Sequence, residues 1–477
     1  MLSKEELHKL DKNDLVEYSY DLGLKYDKLM AKVEGLIDEI KVLNVKIKEL
    51  SVKKDSSNSS LPPSHDLFHN KNQSLRVKSD KKSGGQPGHH GVTLLPSATP
   101  DIIMEHFPDE RCPKCGKIHS KESMKMIESR QVIDIPEIKA FTKEHQVFES
   151  VCECGYTDIG NFPVQVTAPV QYGVNLISYV AYLSSRQFVP YNRLAELVKT
   201  TTGISMSEGT IYNMLHKVAT SLMPTYQAIK DEVSKAAVIG GDESGVKVMM
   251  QKYWAWVWQT VLATYIEINN TRGYAAVLKA FPDGFPQATY VTDSLATQIK
   301  TPAKNHQICI VHVIRDFNYL KVLYLENWSN EMYDLLQRAI ELKKVMTLNQ
   351  YTEPFEPRDA IIREYDILLN EELSESFFKL ISYQKGLKKR RPYTFNFLYY
   401  PDVPADNNAS ERAIRNVKVK LKISGGFRSV RGSAIFAIIR SVIDTTIKKE
   451  GNPFETIKFA LNVAISKKQF KANQLIV

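Results

Sequence analysis

The chain has 477 residues, 43% of them hydrophobic and 25% charged, with a formal net charge of +9. That is material for two or three globular units and linkers. No apolar run is long enough to span a membrane, since even AIFAIIRSVI is broken by Arg440, and the start MLSKEELHKL lacks the apolar core of a signal peptide. A cytoplasmic location is expected. The positive charge permits a polyanionic partner without requiring one.

Leucines recur every seventh position from Leu15 through Leu22, Leu29, Leu36 and Leu43 to Leu50, with Tyr26, Val33, Ile40 and Ile47 at the other seam position. Branched residues opposite leucines predict a parallel two-stranded coiled coil and hence a homodimer. A single helix folded back on the body of the protein is the alternative, favoured by Gly23 and Gly35. Beyond Leu50 the chain turns polar and rich in Ser, Lys, Gly and Pro, which reads as a basic linker.

Five cysteines are too few and too unevenly placed for a disulfide framework. Four of them form two knuckles, Cys112-Pro-Lys-Cys115-Gly and Cys152-Glu-Cys154-Gly, the pattern of a tetrahedral four-thiolate structural Zn²⁺ site, a zinc ribbon. Residues 126–151 alternate in apolar character around Pro136, as a hairpin would. The lone Cys309 reads as a core residue. Residues 192–201 and 207–219 read as helices flanking Gly203, with Ile211, Met214, Leu215, Val218 and Leu222 as an apolar stripe. A helix-turn-helix DNA reader and a plain helical hairpin fit this equally.

From Ala236 the period becomes that of strands, and Trp254, Trp256 and Trp258 share one face. The order strand, strand, strand, helix, strand, helix makes this an α/β unit. Asp242 is expected to end the first strand and Asp293 the fourth. Aspartate disfavours strands and is costly to bury unpaired, so two at neighbouring strand ends suggest metal ligands. Asp316 and Asp444 are weaker candidates, and Glu243 should face away from Asp242. Residues 328–385 are helical in pattern and end in the basic run Lys385-Gly-Leu-Lys388-Lys389-Arg390-Arg391, either a solvated loop or a phosphate clamp. In DNNASERAIRNVKVKLK (406–422), Asn408, Glu411, Arg415, Lys418 and Lys422 make one stripe of a helix, while Ala413, Val417 and Leu421 make an apolar one. Taken alone Glu411 reads as half of a solvated Glu411–Arg415 pair; with the two strand-end aspartates it is expected to be a third acidic ligand on a cationic face. SGGFRSVRG follows, with Arg428 and Arg431 beside glycines, which fits equally a backbone that approaches phosphates closely and a simple helix-entry loop.

These pieces together resemble the insertion-sequence-66 family of bacterial DDE transposases nearly end to end. The matching stretches are NSSLPPS at 58–64, GGQPGHHG at 84–91, the cysteine knuckles, VPYNRLAEL at 189–197, Asp242-Glu-Ser, the strand ending in Asp293, and DNNASERAIR with SGGFRSVRG. The resemblance implies an RNase H-like fold on which Asp242, Asp293 and Glu411 form the catalytic triad, and a bacterial protein associated with the nucleoid. His312 and Arg315 match a family motif, although Val311-His312-Val313-Ile314-Arg315 lacks its first arginine and Ser294-Leu295 stands where the family tends to have Gly-Tyr. Three carboxylates holding two Mg²⁺ (or Mn²⁺) ions about 4 Å apart suit hydrolysis and strand transfer at phosphodiesters. The partners implied are transposon-end and target DNA, with accessory proteins of the same element. DNA contacts are expected from His312, Arg315, Arg412, Arg415, Lys418, Arg428, Arg431, Lys388, Lys389, Arg390 and Arg391. A structure-specific nuclease with the same triad and a catalytically silent zinc-ribbon DNA-binding protein are the rival readings.

The expected organisation is a coiled-coil oligomerisation helix (1–52), a basic flexible linker (53–100), a zinc ribbon (101–165) and a helical, helix-turn-helix-like region (166–235). The RNase H-like core follows (236–325 and 396–422, the latter carrying the glutamate helix), split by a helical insertion (326–395) and trailed by a C-terminal helical region (423–477).

Overall fold

A computed structural model describes residues 3–52, 94–324 and 326–474, with the single positions 54, 59 and 88. The NSSLPPS and GGQPGHHG motifs and most of the basic linker lie outside the described residues. After a single turn, α1 (Lys4–Leu7), the N-terminal helix α2 (Lys12–Ser51) begins where the Asp11 side chain accepts hydrogen bonds from the backbone N–H groups of Asn13 and Asp14, both at 2.8 Å. It extends about 60 Å. Neither Gly23 nor Gly35 breaks it, and its leucine seam stays open, with Leu29 59% and Ile40 57% exposed. Only its end folds back, where Val45 and Val52 pack against the body of the protein.

Each cysteine knuckle is a tight turn. Cys112 N–H donates to Lys117 O at 2.8 Å and Gly116 N–H to Cys112 O at 2.9 Å; Cys152 N–H donates to Tyr156 O and Gly155 N–H to Cys152 O, both at 2.8 Å. The second knuckle joins β1 (Glu149–Val151) to antiparallel β2 (Thr157–Ile159). The hairpin expected over 126–151 is absent. Residues 124–148 carry no helix or strand, and most of their apolar side chains are exposed, so alternation there finds no partner sheet to bury against.

Helices α3 (Val174–Ser185), α4 (Tyr191–Thr202) and α5 (Glu208–Ser234) follow. Gly203 ends α4 at φ +74°, and the Ser207 hydroxyl caps α5 by accepting from Thr210 N–H at 3.1 Å. The expected stripe from Ile211 to Leu222 is buried and continues through Tyr226, Ile229 and Val233. These helices do not close a core of their own. Their apolar faces join Trp256, Trp258, Tyr265 and Tyr290 of the sheet and Ile439 and Ile443 of a C-terminal helix in one cluster, so residues 166–235 are a layer of the central body.

The sheet has five strands in the order β5-β4-β3-β6-β7. Strands β3 (Val238–Val248), β4 (Gln251–Gln259) and β5 (Thr264–Asn269) form an antiparallel meander, and helix α6 (Tyr274–Ala280) crosses to β6 (Phe285–Thr292), parallel to β3. A short helix α7 (Ala296–Ile299) leads to β7 (Ala303–Ile308), parallel to β6, and then to α8 (Ile310–Leu323). Helices α9 (Asn327–Val345), α11 (Glu356–Asn370) and α12 (Phe378–Arg390) pack with α8 around a second cluster centred on Phe317, Trp328 and Tyr365, and the single turn α10 (Asn349–Thr352) links α9 to α11. The basic run is therefore not a loop: residues 385–390 are the last part of α12, and Arg391 opens a 3-10 turn.

Three helices finish the chain: α13 (Asn408–Ser424), α14 (Val430–Lys448) and α15 (Pro453–Gln474). Helix α14 seals the outer strand. Thr445 Oγ1 accepts from Thr264 N–H at 3.0 Å and Ser441 Oγ from Ile266 N–H at 2.9 Å, pairing amides that an edge strand otherwise leaves bare. Lys448 donates to Gln259 Oε1, Thr260 O and Ala263 O at the β4–β5 turn. Burial of its amine lowers its pKa to about 8. Replacing Ser441 and Thr445 together by Ala leaves two buried donors unpaired. We expect a loss of about 2–5 kcal/mol in denaturant unfolding, with amide exchange accelerating first at Thr264 and Ile266.

Candidate active site

The three acidic residues are carried by three elements. Asp242 lies inside β3 rather than at its end, because β3 continues to Val248 as an arm of the β3–β4 hairpin. Its pairing with β6 does stop at Gly240↔Val291, so Asp242 stands just past the parallel part of the sheet. Asp293 directly follows β6, as expected. Glu411 sits in the first turn of α13, whose face formed by Ala413, Ile414 and Val417 is buried against Val246 and Val257.

The glycine pair before Asp242 explains how α13 reaches β3. A Cβ on Gly240 would stand 2.5 Å from Gln259 Nε2 and Ser410 Oγ, and one on Gly241 2.6 Å from Cε2 of buried Tyr290. With no side chains in the way, Asn407 Nδ2 donates to Gly241 O at 2.7 Å. The same loop is fastened to α8: Ile310 N–H donates to Ala405 O at 2.9 Å and Asn407 N–H to Cys309 Sγ at 3.3 Å. Cys309 is thus a buried acceptor at the start of α8. This clamp sets Glu411 on α13 beside His312 on α8, with His312 Nε2 3.8 Å from Glu411 Oε1 and Arg415 Nη2 3.7 Å from Glu411 Oε2.

Charge is poorly balanced here. Burial, then the neighbouring carboxylates of Asp293 and Glu243, push Asp242 well above the usual carboxylate range, against a backbone N–H bond from Glu243 and the charge of Lys418. Burial of the His312 ring works against its charged form, but Cys309 and Asp293 outweigh it and lift its pKa to about 9. Asp293 Oδ1 and Glu411 Oε1 are buried and meet no donor. Buried polar atoms are ordinarily satisfied, so two carboxylate oxygens without hydrogen-bond donors, beside a carboxylate held toward neutrality, are groups that a cation would suit. The donor set, carboxylate oxygens alone, suits Mg²⁺ or Mn²⁺. Among the described residues, no group of three or more His, Cys, Asp or Glu side chains is placed so that it could hold a metal ion together.

A cleft of about 240 Å³ adjoins Asp293, lined by Arg272, Ser294, Leu295, His312, Val313, Asp316 and Arg390. Glu243 does face away from Asp242: it accepts from Arg272 Nη2 at 2.7 Å and from Gln298 Nε2 at 2.8 Å. Burial and Asp293 raise its pKa to about 7 despite Arg272. Arg272 lies with its guanidinium 4.9 Å from the Trp254 ring and completes the wall. Sequence reasoning missed Arg272, whose one trace is a cation in the polar loop NNTRG before α6.

The other expected contacts divide. Arg315 is half-buried next to His312, Lys418 is near Asp242, and Arg390 reaches the cleft from α12. Lys388 and Lys389 are exposed on α12, and Arg428 and Arg431 are exposed beyond α13, Arg431 touching His216. Arg412 is exposed on the side of α13 toward Lys448. Arg391 is engaged elsewhere, donating to Asp366 Oδ2 at 2.8 Å. Asp444, a weaker ligand candidate, is held by Arg440 at 2.5 Å and is structural. Among the cysteines, backbone N–H groups of Lys114 and Cys115 lower the pKa of Cys112, and that of Cys154 lowers Cys152, while the two knuckles stand as separate pairs.

Among the described residues, no helix is long and apolar enough to cross a membrane. No curated protein matches the chain. The Transposase IS66 family matches residues 169–435, from the helices that back the sheet through all three acidic positions into α14, which is more than half of the sequence. The chain belongs to the IS66 family of transposases.

Proposed function

We propose that this transposase binds the ends of its element and cuts and joins DNA through Asp242, Asp293 and Glu411, on a core of RNase H-like topology. The observation that carries the reading is the pair of buried oxygens on Asp293 and Glu411 that have no hydrogen-bond donor, beside the His312 ring. The three carboxylates would hold two Mg²⁺ or Mn²⁺ ions, which when bound activate a water or 3′ hydroxyl and stabilise the leaving oxygen. Around them, the His312 imidazolium and Arg315 bind the scissile-strand phosphate, and Lys418 offsets the carboxylate charge. Arg272 and Arg390 grip backbone from opposite walls of the cleft. Helix α12 extends that grip through Lys388 and Lys389, and α13 through Arg412 and Arg415. Any helix-turn-helix role belongs to the outer face of α5, where Asn213 and Lys217 are exposed. The test is incubation of the protein with element-end DNA and Mg²⁺, mapping both cuts and joined products. Cuts at the ends with joined products are expected. Cuts without joining support a nuclease, and binding without cuts a silent DNA-binding protein.

Two further assignments belong to this reading. Cys112, Cys115, Cys152 and Cys154 take one structural Zn²⁺, supported by the N–H groups that stabilise thiolate at Cys112 and Cys152. We expect metal analysis to find stoichiometric zinc that Cys112→Ser with Cys152→Ser removes; unchanged zinc in that variant refutes the site. The open seam of α2 pairs with a second copy as a parallel coiled coil. Light scattering should give a dimer for the full chain and a monomer after Leu29→Lys with Leu36→Lys.

A further inference from the structure

The β3–β4 hairpin carries features that neither the sheet nor the acidic site needs. Val248 pairs with Gln251, so the turn is Met249-Met250, at φ +50° and +64°. Two-residue turns with both φ values positive strongly prefer Asn-Gly, because a side chain is strained there. Both methionines are bare, 61% and 81% exposed. The next pair down the hairpin, Lys247 and Lys252, is directly opposed and exposed, and like charges placed opposite one another destabilise a ladder.

This tip is nevertheless braced. Met249 N–H donates to Phe427 O and Phe427 N–H to Lys247 O, both at 2.8 Å, and Gly426 passes so close that a Cβ would lie 2.9 Å from Lys247 O. The segment that braces it bears Arg428, which is exposed. Helix α13 runs alongside β3 in the same direction, from Asn407 at Gly241 to Phe427 at Val248. Its cationic stripe, Arg415 to Lys422, therefore leads from Glu411 to the tip. A rigid apolar point among cations, at the end of a basic track, is complementary to duplex DNA: phosphates outside, flat apolar bases within.

We infer that Met249 and Met250 form a wedge that enters the element-end duplex and unstacks a base step. Methionine is among the side chains used in this way. Val248 is six residue steps along the strand from Asp242, about 20 Å, which places the wedge about six base pairs from the cut if the strand runs along the duplex. The inference rests on the proposed action on DNA. It extends it by naming the part of the chain that deforms the duplex and where.

The test uses the full-length protein with Met249→Asn and Met250→Gly, a pair that suits the turn and should leave the melting temperature equal or higher. The probe is a duplex of the element's terminal sequence with 2-aminopurine placed at successive positions. Wild type should give a several-fold fluorescence rise confined to steps about six base pairs from the cut. The variant should lose that rise and cut poorly, while its affinity falls less than about tenfold because phosphate contacts dominate binding. A mismatch built into that step should restore its cutting. Equal fluorescence from both proteins, or cutting by wild type with no rise anywhere, overturns the wedge alone. Failure of wild type to bind or cut end DNA overturns the proposed function together with it.

Discussion

Asp242→Asn and Glu411→Gln should each lower Mg²⁺-dependent cleavage of end DNA by about a thousandfold or more, the effect of removing about 4 kcal/mol of metal-borne stabilisation from the reacting phosphate. Mobility-shift binding to the same DNA should persist, because the cations that hold backbone are untouched. Asp242→Asn also replaces a carboxylate whose ionised form burial, Asp293 and Glu243 all oppose. Without metal, that variant should therefore melt at or above the wild-type temperature, which separates loss of chemistry from loss of fold. Cutting at the wild-type rate in either variant removes that residue from the site.

The second large effect is expected from a methyl group. Gly241→Ala brings a Cβ to 2.6 Å from the ring of Tyr290, which is fully buried. Gly240→Ala strikes Ser410 Oγ and Gln259 Nε2 and lifts the start of α13 off the strand. Overpacking of this kind costs about 1–3 kcal/mol. Since the Asn407 bond to Gly241 O fixes where Glu411 stands, activity should fall further than stability does. Thermal melting and cleavage assays on the two alanine variants measure both, and wild-type values for each would mean that α13 is not positioned by this contact.

Much of this was legible in the sequence. Period-two runs marked β3 to β6, the apolar stripe of α13 appeared where Ala413, Val417 and Leu421 placed it, and the carboxylate after ATYVT proved to follow β6 directly. What was not legible came from elements that meet only in three dimensions. Asp242 looked terminal because strand pattern does not reveal that β3 outruns its parallel neighbour β6. What the helices of residues 166–235 pack on was not legible, since periodicity displays an apolar face without naming what covers it. Arg391 read as a phosphate ligand because its partner, Asp366, is on another helix. Arg272 was hidden for the same reason: only the fold brings its loop to Glu243 and the cleft.

The sealing of β5 by α14 has a consequence for synthesis. Strand β5 ends at Asn269 and α14 begins at Val430, so the outer edge of the sheet emerges from the ribosome roughly 160 residues before its cover. At about 5–20 residues per second, those amides stay uncovered for about 10–30 s in every nascent chain. A message truncated before codon 430 therefore yields a chain with a permanently open strand, prone to self-association.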